Sequence, residues 1–155
     1  MIVNTTSEHR EPLLAIIEAS GQFDADGLAH VQSTLDAYFA NQGEAIWLTA
    51  LEESPVGVAY CAPEPVTSGT WNLLMLWIKD GFEGRGFGKA LVSEVENQLK
   101  QHQARLLIVE TSQLPEFETA RAFYERSGFK LEAEVKNFFD AGDNKLIYTK
   151  PLNVS

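Results

Sequence analysis

The spacing of apolar residues along this chain changes several times, and each change predicts an element. Residues 2–5 are long enough for a short first strand. From Ser7, read as an N-cap, Leu13, Leu14, Ile16 and Ile17 recur at helical spacing until Gly21. A second helix is predicted from Asp24 to Phe39, where Leu28, Val31, Leu35 and Phe39 fall three and four apart, and Asn41 to Gly43 break it. The period then shortens. Ala45 to Leu51 and Val56 to Ala62 read as two strands of a hairpin, and the apolar run Trp71 to Ile78 as a third strand inside a sheet. After a glycine-rich loop, Leu91, Val95 and Leu99 place a helix over residues 87–102. Ala104 to Glu110 is a further buried strand, and Glu116 to Arg126 a short helix with Gly128 at its C-terminal end. Phe129, Leu131, Ala133 and Val135 alternate with charged residues, which predicts a half-buried strand, and Lys145 to Lys150 a last one. The order is that of a mixed α/β sheet with helices on both faces.

No repeat, low-complexity tract or linker interrupts residues 1–155, so one domain is expected. The composition is globular, with 45% hydrophobic and 22% charged residues. Net charge is −10 and the 12 basic residues are dispersed, which argues against a nucleic-acid partner. No stretch approaches the roughly 20 apolar residues of a membrane span. No basic flank or apolar core of a signal peptide opens the chain, so a soluble, cytoplasmic protein without membrane contact is expected. The single cysteine, Cys61, lies in an apolar run and reads as a buried, inert thiol; no Cys/His spacing suggests a metal site.

The sharpest local signal is Glu83-Gly84-Arg85-Gly86-Phe87-Gly88 between a strand and a helix. Small residues let backbone amides approach a ligand, and a helix N-terminus favours negative charge, so the loop suits a pyrophosphate. It is not a P-loop, because Lys89 is followed by Ala90, and its glycines do not match Gly-x-Gly-x-x-Gly. A tight turn without a ligand stays open on this loop alone.

Its flanks narrow the choice. Leu76-Trp77-Ile78 followed by Gly84 to Leu91 resembles motif A of the GNAT acetyltransferases, Gln/Arg-x-x-Gly-x-Gly/Ala, with Gly86 and Gly88 in register and Glu83 where Gln or Arg is usual. Ala120-Arg-Ala-Phe-Tyr-Glu-Arg-Ser-Gly-Phe129 resembles motif B. The resemblance covers residues 45–150, with residues 7–42 as the family's two variable helices. It implies a GNAT-like fold: one mixed, mostly antiparallel sheet of six to seven strands flanked by helices. It also implies acetyl transfer from acetyl-CoA to a small-molecule or peptide amine, with coenzyme A as product. Dimers are common among relatives, so a homodimer is left open.

Carried over by position, the resemblance gives Leu76, Trp77 and Ile78 to the pantetheine arm and Gly84, Arg85, Gly86, Phe87, Gly88 and Lys89 to the pyrophosphate. The strands of residues 72–78 and 106–111 would splay apart to admit the cofactor. Tyr124 matches the tyrosine that protonates the leaving thiolate, a task its ordinary pKa near 10 allows. Phe117 stands where many members carry an Asn that touches the cofactor; here Thr111 or Ser112 takes over that role, or the role is unfilled. Glu83 is expected to face solvent or pair with Arg85 or Lys79.

Residues 72–78 hold no acid to act as general base. Glu110 on the neighbouring strand is the substitute, acting directly or through water; a buried structural carboxylate is the other reading. Asp140 and Asp143, in the segment 137–144, read either as an attractor for a cationic acceptor or as a solvated turn. His9, His30 and His102 lie on helices away from the loop, and Trp47 and Trp71 read as core aromatics. A non-catalytic acyl-CoA sensor and a nucleotide-binding protein using the same loop are the rival readings.

Overall fold

The computed structural model describes residues 1–152. Among these, seven strands, β1 (Ile2–Asn4), β2 (Ile46–Leu51), β3 (Pro55–Pro63), β4 (Thr70–Ile78), β5 (Leu106–Ser112), β6 (Lys130–Asp140) and β7 (Asp143–Pro151), form one sheet in the order β1-β2-β3-β4-β5-β7-β6. Strands β4 and β5 run parallel; every other neighbouring pair is antiparallel. The α-helices of the described residues are α1 (Arg10–Ala19), α2 (Ala25–Phe39), α3 (Phe87–Gln101) and α4 (Glu118–Arg126).

Two apolar layers sandwich the sheet. Leu13, Ile17, Val31 and Leu35 of α1 and α2 pack with Trp47, Val58 and Met75 on one face. On the other, Leu91, Val95 and Leu99 of α3 pack with Leu48, Val56, Cys61 and Leu73. Each such side chain, once buried, contributes about 1.5–3 kcal/mol relative to exposure. Trp47 stacks on Tyr60 at 4.4 Å and Trp71 lies under His102, so both tryptophans are core residues. Asp24 caps α2, accepting from the Gly27 amide at 2.7 Å.

Two local expectations are corrected. Ser7 does not cap α1: residues Ser7–His9 form a 3-10 turn, and the Thr6 amide donates to His9 Nδ1 at 3.1 Å, so the α-helix begins at Arg10. The strand after Phe129 is not half-buried. Every residue of β6 is exposed, Leu131 at 54% and Phe138 at 52%. Alternation reports which side chains share a face, not whether anything covers it; β6 is the sheet's edge strand and neither helical layer shields it. It also extends into the segment read as a turn, as far as Asp140, with breaks in register at Leu131/Ala133 and Val135/Asp140.

Candidate functional site

One extra residue in β4 creates the site. Tyr60 of β3 pairs with Met75 and Cys61 with Leu73, so Leu74 bulges outward. Because strand residues alternate faces, the bulge inverts the pattern. Trp71 and Leu73 pack in the α3/α4 layer, whereas Met75 and Trp77 pack in the α1/α2 layer. At the same point β4 parts from β5. Their pairing runs from Thr70↔Leu106 to Leu73↔Val109 and stops. Beyond it β4 stays with β3 as far as Ile78, and β5 stays with β7 as far as Ser112. Leu74 to Ile78 therefore turn a row of backbone groups without strand partners toward the gap, and such groups need a partner. The splay expected from the sequence is present.

A cavity of about 430 Å³ fills the gap. Phe117, Ala120 and Tyr124 line it from the α4 side, and Gln22, Glu110, Phe139 and Asp143 from the α1–α2 loop and the β5–β7–β6 side. Its lining thus draws on both faces of the sheet. Leu76 and Trp77 line it, and Trp77 and Ile78 also line a second cavity, of about 680 Å³, beside α1.

The glycine loop leads into α3. Gly86 is the N-cap residue with φ 89°, and Gly84 has φ 73°, both left-handed. Such a conformation costs an L-residue roughly 1–2 kcal/mol. No side chain among the described residues caps the helix, and the first return bond is from the Ala90 amide to the Gly86 carbonyl at 3.0 Å. The amides of Phe87, Gly88 and Lys89 therefore stand open at the positive end of the helix dipole. A Cβ at Gly88 would lie 3.4 Å from the Phe123 ring, an ordinary van der Waals contact, so packing alone does not demand glycine there.

Arg85 is exposed, its guanidinium 4.8 Å from the centre of the Phe82 ring. Glu83 turns back on the loop and accepts from the Gly81 amide at 2.9 Å; it faces solvent, as expected, and forms no ion pair with Arg85 or Lys79. The carboxylate is thereby held on its own turn.

Tyr124 is buried against Phe123 and Phe129, and burial pushes its phenol up to about 12. It stays protonated throughout the neutral range. Arg121 ties α4 to the end of β5, donating to the carbonyls of Ser112 and Leu114 at 2.8 Å each, which fixes Tyr124 over the gap.

Glu110 lines the cavity, but not as a free carboxylate. Lys145 Nζ lies 2.8 Å from Oε2, and Asn72 Nδ2 donates to Oε1 at 3.4 Å. Sequence reasoning gives no sign of this clamp, because its members lie on three different strands. Thr111, Ser112 and Phe117 also line the cavity. Asp143 does as well, while Asp140 stays in the hairpin, accepting from the Ala141 amide at 2.7 Å. The sequence pattern does not point to Phe139 either, because the alternation that marks its strand ends near residue 136. Cys61 is wholly buried in β3, and burial pushes its thiol far above the usual range.

Residues 14–129 match the model of the acetyltransferase (GNAT) family. No curated protein sequence gives a significant match. Among solved structures, a GNAT-family protein from Desulfovibrio desulfuricans is 29% identical, with a TM-score of 0.88 and 99% of each chain covered. An aminoglycoside 6'-N-acetyltransferase from Enterococcus faecium is 14% identical, covering 99% of this chain and 97% of its own at a TM-score of 0.80. The ribosomal-protein-alanine N-acetyltransferase of Brucella melitensis is 19% identical, covering 98% and 99% at a TM-score of 0.80. At those identities the last two show likeness of fold alone.

Proposed function

Because this chain belongs to the GNAT acetyltransferase family, we propose that it moves an acetyl group from acetyl-coenzyme A to an amine while both are bound. The observation that carries this reading is the cavity in the gap between β4 and β5, with Tyr124 on one side and Glu110 on the other.

The residues present fit the donor. A diphosphate matches the open amides of Phe87, Gly88 and Lys89, reached past Gly84 and Gly86 and flanked by Arg85. An amide-bearing arm matches the partnerless edge of β4 at Leu76, Trp77 and Ile78, in the manner of an added strand. When bound, acetyl-coenzyme A supplies an acyl group activated as a thioester.

The chain's own groups then handle protons. The amine nitrogen bonds to the acyl carbon as the carbon–sulfur bond breaks. Glu110, directly or through one water, takes the proton the nitrogen loses, and Tyr124 Oη gives one to the departing sulfur. Solvent returns the proton from Glu110 to Tyr124, so the cycle closes on an amide and a free thiol. Burial keeps Tyr124 protonated at neutral pH, and the negative charge that develops on the departing sulfur is what draws the proton across. A relay through Cys61 is disfavoured, since a buried thiol held protonated is a poor nucleophile.

The test is release of free thiol from acetyl-coenzyme A across amine classes. Release that needs both protein and amine, with initial rates describing a ternary complex, is expected. Binding of coenzyme A without thiol release for any amine would instead make the protein a sensor.

A further inference from the structure

The cavity's charges restrict which amines fit it. Among the described residues its lining holds the carboxylates of Glu110, Glu116 and Asp143 and no Lys, Arg or His. Glu110 is compensated by Lys145, and Glu116 is an exposed residue on the α4 side. Asp143 differs from both. It faces the acceptor side, and its side-chain hydrogen bond is to a neutral hydroxyl, that of Ser112, which donates to Oδ1 at 2.5 Å. Ser112 is itself buried and accepts from the Leu114 amide at 3.0 Å, so its hydroxyl proton is directed at Asp143. Oδ1 is thereby occupied and Oδ2 is left for a ligand.

The hairpin bearing Asp143 is tied down at several points. Gln113 Nε2 donates to the Gly142 carbonyl at 2.8 Å, and the Gln113 amide to the Asn144 carbonyl at 3.0 Å. Asn137 and Asn144 cross-brace it: Asn137 Oδ1 accepts from the Gly142 amide at 2.8 Å, and Asn144 Oδ1 from the Asn137 amide at 2.9 Å. The break in register between Val135 and Asp140 places Phe139 in the cavity wall near Asp143, where Leu74 and Trp77 add apolar surface. A fixed anion beside an aromatic wall recognises a cation carried on an apolar body.

Resting on the acetyl-transfer reading above, we propose that the acceptor is a cationic amine with an apolar segment and no carboxylate beside the reacting nitrogen, and that Asp143 selects it. An acceptor carboxylate in this cavity would meet like charge with no cation in the lining to offset it. Amino acids with free carboxylates and acidic peptides are thereby disfavoured. Asp143 is a specificity-determining residue; it captures the acceptor as an ammonium ion, the extra proton leaves to solvent before the neutral nitrogen attacks, and Asp143 takes no part in breaking the thioester.

Matched pairs that differ by one carboxylate test this: phenethylamine against phenylalanine, and cadaverine against lysine. Binding to the protein alone is measured by calorimetry, and turnover by thiol release. In both readouts the amine should be favoured at least about tenfold, the worth of one charge-assisted hydrogen bond. Asp143→Asn should bring the ratio near unity through KM, leave coenzyme A affinity unchanged, and be partly rescued by Asp143→Glu. Equal binding of the carboxylated partners, a preference that survives in Asp143→Asn, or no binding of any of the four overturns the proposal. Coenzyme A titrated into the same samples separates the two levels: if the parent protein fails to bind it, the acetyl-transfer reading falls first.

Discussion

Replacing Tyr124 by Phe is expected to lower kcat by about 10²–10³-fold while the affinity for coenzyme A is retained. A positioned general acid contributes on the order of 10²–10⁴ to a rate, and the substitution removes only the hydroxyl. The ring packs among Phe123, Phe129 and Tyr148, and Phe keeps that packing, so the fold should survive. The pH profile offers a second check. Burial pushes the Tyr124 phenol up to about 12, so its ionisation should cause no fall in rate up to the ordinary tyrosine value near 10. Stopped-flow or steady-state thiol release against pH, with calorimetry for coenzyme A, reads both effects. A variant as fast as the parent would remove Tyr124 from the chemistry.

Gly86→Val should weaken coenzyme A binding by about tenfold or more. The loop makes Gly86 left-handed at φ 89°, and an added Cβ meets nothing within 4 Å, so the effect is backbone strain and not collision. Roughly 1–2 kcal/mol is at stake for any L-residue there, more for a β-branched one. The chain can relieve it only by turning the peptide units that aim the amides of Phe87 and Gly88. Comparing the dissociation constant with the melting temperature separates the loss of the site from a loss of fold. Gly86→Ala should fall between the parent and Val.

The sheet, its helices and the glycine loop are legible in the sequence because each rests on local signals: periodicity, turn residues and spacing. Trp71 to Ile78 announces a buried strand by its apolar run, and Gly86 announces an unusual backbone. What stays hidden depends on register and neighbours. The Leu74 bulge inverts the faces of β4, yet nothing in Leu73-Leu74-Met75 distinguishes it from regular strand. β6 alternates like a covered strand, but coverage is set by helices far away in sequence. The Glu110–Lys145 pair and the Ser112–Asp143 bond join residues that only the pairing of β5 with β7 brings together. Phe139 enters the cavity through an irregular hairpin whose extra residues look like ordinary strand. The glycine loop and the apolar run of β4 are therefore readable from the sequence, and the grouping of Glu110, Phe139 and Asp143 requires the fold.

The most direct measurement is a calorimetric titration of the purified protein with coenzyme A, repeated with its acetyl ester. Saturable heat at one site per chain, weakened by Gly86→Val, is the result expected if open amides after Gly86 hold a diphosphate. Absence of heat at millimolar ligand would contradict the account at its root.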